Sequence, residues 1–498
     1  MLSKIKRLFY LSSIYSIESI LEKSLYFFLI PVYTTFLSPE DFGIIGLMSI
    51  TIGLITKAVT PPINSGLIRF YYSTEYFNKQ KKFIFNSFLF LTTQCIIFSL
   101  ILYSLKNTIA GSVLNDGKLV HIIEVYCAIL FFQPVSSFFT TLLRMAEKAK
   151  YLLFVSCVRL FVSMLFILYA LIYMKLGVLA LIYGNRLGLI IVCILALPFF
   201  LKSAEFKIDP GTLGPPLQYG YPFIIQGFAL ILIHSGDQYI LKFFTSVAVV
   251  GIYSFNYKIA DIMKFMLVLP FKKALQPAVL RQEKNPEFLK SFVSRNCTYF
   301  YIIGMLLCLI LSVFSREIVQ LMARREEFWA GWIIIPVIAY ANLLHGLGQF
   351  FNNGLILMKK SYHISANILI AVIVNIGLNI ALIPIWGIMG AAIATLISYI
   401  IWNVLRLYFS GKLYGLYFEI KRLGHITIIG AGLFILSILA AGTESFFYNA
   451  IIKTLLILSY PMALFITGFF TLKEKFYLMD IIVNAVTACL SGQRRRMR

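Results

Sequence analysis

Long apolar runs recur along the whole chain, and short polar turns separate them. In the stretch IPVYTTFLSPEDFGIIGL (30–47), one run ends at the turn Ser38–Asp41 and a second run begins directly after it. Each run is long enough to cross a bilayer as a helix, whereas membrane β-strands are about half as long and alternate in polarity. We predict fourteen helical spans: 8–37, 42–64, 83–105, 119–143, 151–174, 176–200, 219–244, 248–271, 296–321, 329–358, 362–385, 387–410, 423–443 and 447–471.

The connections between the runs differ in charge. Lysines and arginines are concentrated in alternate connections and in both tails, as the positive-inside rule expects of cytoplasmic segments. We therefore predict that both termini are cytoplasmic and that the Ser38–Asp41 turn faces outward. Trp329, Trp332 and Trp386 then fall near the outer interface, where aromatic anchors are common.

The turn after the first run has a counterpart 208 residues later, because FLSPEDFGI (36–44) aligns with FTSVAVVGI (244–252). At an offset of 210, LGVLALIYG (176–184) is similar to WGIMGAAIA (386–394). This offset spans six predicted helices, so both halves enter the membrane from the same side. The pattern predicts two six-helix lobes in a parallel pseudo-two-fold repeat, with predicted helices 13 and 14 outside it.

The predicted organisation is therefore an all-α polytopic membrane protein in four parts. The N-terminal six-helix lobe takes residues 1–210 and the C-terminal six-helix lobe takes 211–415. Helices 13 and 14 take 416–475. The basic cytoplasmic tail, 476–498, is amphipathic and is expected to lie on anionic lipid, with protein binding as the alternative.

Composition agrees with a membrane protein. The 498 residues are 60% hydrophobic and only 13% charged, with a mean hydropathy of +0.85. A soluble chain of this length would carry more charge. The net charge of +23 alone would suggest nucleic-acid binding, but most basic residues lie in short loops between spans, so no nucleic-acid partner is expected. A cleavable signal peptide is not expected either, since the first apolar run is too long.

Motifs for cofactors and metals are missing from the sequence. The seven cysteines form no CxxC pair, and the five histidines form no HExxH or HxxxH pair. The P-loop pattern GxxxxGK[ST] is also missing. We predict a transporter with no cofactor, no metal and no catalytic residues.

Charges inside predicted spans are the candidate functional residues, because a charge at a helix centre costs about 2.5–3.5 kcal/mol on insertion scales. A wet cationic cavity that holds an anion is predicted from them, and arginine suits phosphate because its planar fork gives bidentate contacts. The proposed anion-binding residues are Lys57, Arg69, Arg159, Arg186, Lys258 and Lys264.

Four acids are the candidates for binding a coupling H⁺ or Na⁺: Glu18, Glu22, Asp237 and Asp261. Structural alternatives remain open. In one alternative, Asp261 forms a structural ion-pair network with Lys258 and Lys264, which lie at helical spacing from it. In another, the side chain of Arg159 extends to the inner surface of the membrane. Predicted helices 9 to 13 carry few charges and are expected to contribute amides such as Asn375 and Asn379.

Four stretches resemble a known family. FLIPVYTTFLSPEDFGIIGLMSI (28–50) with SGLIRFYYS (65–73) resembles the opening signature of the polysaccharide biosynthesis proteins, the Wzx-type O-antigen flippases. HSGDQYIL (234–241) and WGIMGAAIATLIS (386–398) resemble later signatures of the same family. These flippases belong to the multidrug/oligosaccharidyl-lipid/polysaccharide exporter superfamily.

The resemblance implies translocation of an undecaprenyl-pyrophosphate-linked oligosaccharide across the bacterial cytoplasmic (inner) membrane for O-antigen, capsule or exopolysaccharide assembly. It further implies alternating access between two lobes, an ion gradient, contact with membrane lipids and possible glycan polymerase partners. The cationic motifs of lipid II flippases do not occur at matching positions, which argues against a peptidoglycan role. The alternatives are a cation extruder of the same fold, which would favour acids over basic residues, and a glycan polymerase or ligase, which would usually have longer external loops.

Overall fold

The computed structural model describes residues 29–113, 120–281, 285–358, 360–440, 446–472 and 474–475, and within them it contains helices and no strand. Ten of these helices are long and apolar enough to cross a membrane, or eleven if one bent pair counts as a single span. The all-α membrane architecture is therefore confirmed. The number fourteen stays a prediction, as does the division into four parts.

The first half of the chain contains long helices joined by short turns. Its helices are α1 (29–36 in its described part), α2 (Pro39–Phe70), α3 (Gln80–Ser104), α4 (Lys106–Val113), α5 (Val120–Met145), α6 (Ala149–Ile172) and α7 (Val178–Ser203). The acidic turn between α1 and α2 is a capping box. Asp41 N donates to Ser38 Oγ at 3.2 Å, and Ser38 N donates to Asp41 Oδ2 at 2.8 Å. Local capping thus explains the turn.

The middle of the chain is more broken than the sequence predicts. The helices here are α8 (Gly214–Gly220), α9 (Pro222–Ser235), α10 (Asp237–Phe244), α11 (Val247–Ala260) and α12 (Leu269–Arg281). Residues Pro210–Gly220 and Pro222–Ser235 meet at 44°, because Pro222 cannot donate a backbone hydrogen bond. A π-helix, Lys264–Val268, separates α11 from α12 and is followed by Pro270. Such breaks free backbone groups inside a membrane protein.

The remaining helices are α13 (Pro286–Val313), α14 (Ser315–Met322), α15 (Ile335–Phe351), α16 (Asn353–Leu357), α17 (Ser361–Tyr414), α18 (Ile420–Ala440) and α19 (Phe446–Ile466), with a 3₁₀ segment, Glu326–Ile334, before α15. A straight α17 of 54 residues would be about 80 Å long, far more than the bilayer core of about 30 Å. Gly387 interrupts α17 with φ 54° and ψ −129°. Predicted helices 11 and 12 meet at this glycine.

The same glycine supports the internal repeat. Gly177, which lies 210 residues earlier and begins α7, has φ 54° and ψ −130°. A Cβ on either glycine would meet nothing within 4 Å, so the positive φ and not crowding explains the residue type. Two equivalent points of the predicted repeat thus share one unusual backbone conformation.

The last two helices pack on α13, beside the C-terminal lobe. Tyr460 of α19 donates from its hydroxyl to the Ile302 carbonyl at 3.2 Å, and the hydroxyls of Tyr301 and Thr427 are 2.7 Å apart. The faces of α18 and α19 that point away from α13 carry exposed Ile and Leu side chains, as lipid-facing helices do.

Candidate functional site

A cavity of about 450 Å³ lies inside the N-terminal lobe, between α2, α5, α6 and α7. Residue Lys258 of α11 reaches it from the other lobe. Two cations line this cavity, Arg159 and Lys258, and the described residues around it include no carboxylate. Its uncharged polar lining residues are Tyr33, Ser49, Tyr126, Gln133, Ser163 and Asn185. The cavity is therefore suited to an anion that also carries hydrogen-bonding groups.

Helix packing holds Arg159 in place at the cavity wall. Gly188 of α7 faces it, and a Cβ there would lie 3.2 Å from Arg159 Cγ. Neighbouring Ser163 donates to the Gly184 carbonyl at 2.9 Å, which joins α6 to α7. On the opposite wall, Lys258 Nζ lies 5.5 Å from the centre of the Phe42 ring. The two cations thus come from different lobes.

Other predicted anion-binding residues lie elsewhere. Arg186 is half-buried and is not among the residues that line the cavity. Lys57 is exposed, and its side chain lies along Gly227 of α9. Lys264 is paired with Asp261 at 2.9 Å, and Arg69 lines a separate pocket. The structure brings two of the six predicted cations together in this cavity.

The four predicted acids are in different situations. Glu18 and Glu22 lie outside the described residues. Asp261 accepts hydrogen bonds from Lys264 and, at 3.1 Å, from Asn342 Nδ2, so its contacts are those of the ion-pair alternative. Asp237 has no such cationic contact among the described ion pairs and is only 2% exposed.

The carboxylate of Asp237 is held by hydroxyl groups. Tyr253 donates to Asp237 Oδ2 at 2.5 Å, and Thr395 of α17 donates to the same atom at 3.4 Å. Asp237 Oδ1 is buried and accepts no hydrogen bond within the described residues. A buried carboxylate oxygen without a donor is a costly arrangement, so this oxygen is a candidate for binding a proton or a small cation.

The later helices contribute a buried cation in addition to the expected amides. Arg406 of α17 is buried at 2% exposure, and its guanidinium lies 3.4 Å from the centre of the Trp402 ring. It donates to Asn403 Oδ1 at 3.4 Å and has no carboxylate partner among the described residues. An arginine within the apolar run IIWNVLRLYF (400–409) is the signal that would have identified it.

Two histidines lie beside this arginine. His345 of α15 packs against Trp402, and its ring centre is 4.9 Å from that of His234. His234 Nδ1 is hydrogen-bonded to the Tyr399 hydroxyl. These contacts give the C-terminal lobe a polar core, defined here as Asp237, His234, His345, Tyr399 and Arg406. Asp237, Tyr399 and Arg406 are buried, and the two histidines are half-buried.

The two lobes are in close contact at the N-terminal ends of α2 and α11. A Cβ on Gly43 of α2 would overlap the Val247 carbonyl oxygen, and a Cβ on Gly251 of α11 would overlap the Pro39 carbonyl oxygen. Both contacts obey the 208-residue offset, as a pseudo-two-fold axis requires. Glycine is needed here because the backbones touch.

A hydrogen-bonded contact from α1 adds to this contact between the lobes. Thr34 Oγ1 donates to the Met322 carbonyl at 3.0 Å and accepts from Arg324 N at 3.2 Å. At the opposite end of α2, a Cβ on Gly66 would lie 2.8 Å from Pro216 Cβ. The N-terminal lobe therefore touches the C-terminal lobe at both ends of α2.

A sequence profile described as that of a polysaccharide biosynthesis protein matches residues 32–326, which is more than half of the chain. The chain belongs to this family. The matched segment begins in α1 and includes every lining residue of the cavity except Leu29. It also includes Asp237, whereas Arg406 lies beyond it.

One curated relative is the probable low-salt glycan biosynthesis flippase Agl15 of Haloferax volcanii, which is 22% identical over 198 residues. The alignment covers 39% of this chain and 41% of that relative, so it spans less than half of either protein.

Solved structures share the fold across most of the chain. The lipid II flippase MurJ in an inward-closed conformation superposes with a TM-score of 0.73 at 15% identity, covering 90% of this chain and 98% of its own. An inward-facing MATE multidrug transporter of the MOP superfamily superposes with a TM-score of 0.64 at 12% identity, covering 79% of this chain and 94% of its own. At these identities the likeness shows the fold alone.

Among the described residues, no group of three or more His, Cys, Asp or Glu side chains is arranged to hold a metal ion. The candidate site of this multi-pass membrane protein thus comprises the polar cavity and the polar core.

Proposed function

We propose that this protein is a flippase that moves an undecaprenyl-pyrophosphate-linked oligosaccharide across the cytoplasmic membrane for surface polysaccharide assembly. The observation that carries the proposal is the cavity, which holds Arg159 and Lys258 and no described carboxylate. Family membership and the flippase name of the Haloferax volcanii relative support it. The termini are proposed to be cytoplasmic, as the distribution of basic residues predicts.

The charge of the cavity favours a pyrophosphate group over a cationic drug. Arginine binds phosphate oxygens through two parallel N–H donors, and lysine adds a point charge. A drug cation would need carboxylates or aromatic faces in their place. Hydroxyl and amide groups of Ser49, Gln133 and Asn185 line the same space and suit the sugar hydroxyls that follow the pyrophosphate.

The origin of the two cations suggests how binding is linked to movement. Arg159 lies in the N-terminal lobe, and Lys258 lies on α11 of the C-terminal lobe. A pyrophosphate held by both groups is sensitive to the relative position of the lobes. Such a pyrophosphate would bind the two arrangements of the lobes with different affinities. Alternating access requires a difference of this kind.

Ion coupling is proposed to use Asp237. Its buried Oδ1 lacks a described donor, and the residue lies next to the break between α9 and α10. Asp261 is a less suitable candidate because Lys264 and Asn342 already hold its Oδ1. Whether H⁺ or Na⁺ binds is left to the experiment.

The first test is to delete the gene and extract undecaprenyl-linked oligosaccharides from spheroplasts. Accumulation on the inner leaflet, cleared by the wild-type protein, is the expected result. We expect Arg159→Ala to fail to clear the glycan and the matched variant Arg186→Ala to clear it, provided that both reach the membrane in equal amounts.

A different pair of results would overturn the proposal. If no glycan accumulates and the deletion strain becomes sensitive to cationic dyes, the protein extrudes cations. If the glycan accumulates already flipped but unpolymerised, the protein acts in polymerisation or ligation.

A further inference from the structure

A second pocket, of about 270 Å³, lies at the seam between the two lobes. Its walls are Ser65, Ile68 and Arg69 from α2 and Tyr219 and Phe223 from α8 and α9. Residues 65, 68 and 69 share one face of α2, and residues 219 and 223 are one helical turn apart. This seam pocket is at the end of α2 predicted to face the cytoplasm.

The chemistry of the seam pocket combines one cation with hydroxyls and an apolar frame. Arg69 is exposed and has no ion-pair partner among the described residues. Ser65 and Tyr219 carry hydroxyls that can donate to an anion. Exposed Ile68 and Phe223 extend the pocket surface with apolar atoms. A ligand for this site has a small anionic group attached to an apolar body.

Packing fixes both walls of the seam pocket. The Tyr219 ring lies 6.2 Å from that of Phe70 and 5.5 Å from that of Phe223. Beside the pocket, a Cβ on Gly66 would lie 2.8 Å from Pro216 Cβ. The walls therefore belong to different lobes that touch at this point, and they separate if the lobes separate.

We propose that the seam pocket binds the phosphodiester headgroup of an anionic phospholipid from the inner leaflet. One arginine matches the single charge of a phosphodiester, whereas the two cations of the larger cavity match a pyrophosphate. The acyl chains would lie along Ile68 and Phe223. Because the ligand contacts both lobes, it stabilises the arrangement in which these ends of α2 and α8 touch.

The test uses the purified full-length protein, delipidated in detergent and titrated with phosphatidylglycerol while native mass spectrometry counts the bound lipids. Arg69→Gln is expected to weaken the tightest lipid adduct about tenfold, the loss expected of one charge-assisted contact. Arg69→Lys should restore part of the binding. Arg295→Gln is the matched control, since Arg295 is also exposed on a basic segment but lines neither pocket.

Four outcomes would overturn the proposal. Equal binding by the wild type and Arg69→Gln would place the lipid elsewhere, and an equal loss in Arg295→Gln would mean non-specific attraction. Displacement of phosphatidylglycerol by undecaprenyl pyrophosphate in an Arg159→Ala background would assign the seam pocket to the substrate. Displacement by millimolar inorganic phosphate would make it a site for a soluble anion. Because flipping is not measured, these outcomes are separate from those of the proposed function.

Discussion

The cavity of the N-terminal lobe and the polar core of the C-terminal lobe each contain an arginine, but the two arginines have different surroundings. Arg159 lines an open space of about 450 Å³ together with hydroxyls, amides and Lys258. Arg406 is 2% exposed, lies on the Trp402 ring and has only an amide as its described hydrogen-bond partner. One arginine lines a cavity, and the other is enclosed by side chains.

The comparison shows that the charge of a residue does not identify its role. In the N-terminal lobe the arginine lines a cavity, whereas in the C-terminal lobe it is packed among side chains. We infer that the N-terminal lobe holds the substrate and that the C-terminal lobe responds to an ion. The following predictions test this division.

Removing both cavity cations should have the largest effect. The double variant Arg159→Gln/Lys258→Gln is expected to reduce flipping about 100-fold, since each charge-assisted contact contributes about 1.5–3 kcal/mol. Both side chains also have contacts within the protein, so the melting temperature is measured beside the flipping rate to separate a loss of stability from a loss of ligand binding. Flipping of a fluorescent lipid-linked oligosaccharide in proteoliposomes, with the melting temperature as control, checks this. If the double variant transports at a near wild-type rate, the two cavity cations do not take part in the mechanism.

Neutralising Asp237 should make the flipping rate independent of the ion gradient. Asp237→Asn is expected to abolish the response of flipping to an imposed H⁺ or Na⁺ gradient, a loss of about tenfold at the full gradient. Asp261→Asn is the matched variant, because its carboxylate is already paired with Lys264. The rate is measured with each gradient applied separately. An unchanged gradient response in Asp237→Asn would contradict the coupling role.

Replacing Arg406, the enclosed arginine, should change the stability of the protein. Arg406→Met should leave the free energy of unfolding unchanged or raise it by up to about 4 kcal/mol, because a buried cation without a carboxylate is costly to desolvate. Arg422→Met should destabilise the protein by about 1–3 kcal/mol, since it leaves Glu419 and Glu474 unpaired. Melting curves in one detergent compare the two. A strong destabilisation by Arg406→Met would mean that the core depends on that charge.

The smallest effect is expected at Arg186. It follows cavity-lining Asn185 by one residue but does not line the cavity itself. Arg186→Gln should therefore change the flipping rate less than about twofold, within the range of a surface substitution. Asn185→Ala is the matched variant on the same helix and should slow transport more. A slower flipping rate for Arg186→Gln than for Asn185→Ala would show that the cavity rearranges to include Arg186 during the transport cycle.

Much of the fold was predictable because it depends on local pattern. Apolar runs of membrane-spanning length indicated helices, and the Ser38–Asp41 turn proved to be a capping box. The 208–210 offset led to the paired glycines, Gly43 with Gly251 and Gly177 with Gly387. The internal breaks were less predictable, since the same apolar run is compatible with one straight helix or with several bent pieces.

The candidate site was only partly predictable. Arg159, Lys258 and Asp237 were singled out from sequence, but so was Arg186, which lies outside the cavity. Successive helical residues differ by about 100° in direction, so position along the chain does not tell which neighbour a side chain meets.

The sequence by itself determined that the chain forms membrane helices in a repeated arrangement, because hydrophobic length and local capping act within a few turns of chain. Only the tertiary structure decided which charges share a space. Thr395 meets Asp237 across 158 residues, and Lys258 joins Arg159 from the other lobe. Such meetings depend on how each helix is rotated and packed against its neighbours, and packing is a property of the whole assembled bundle.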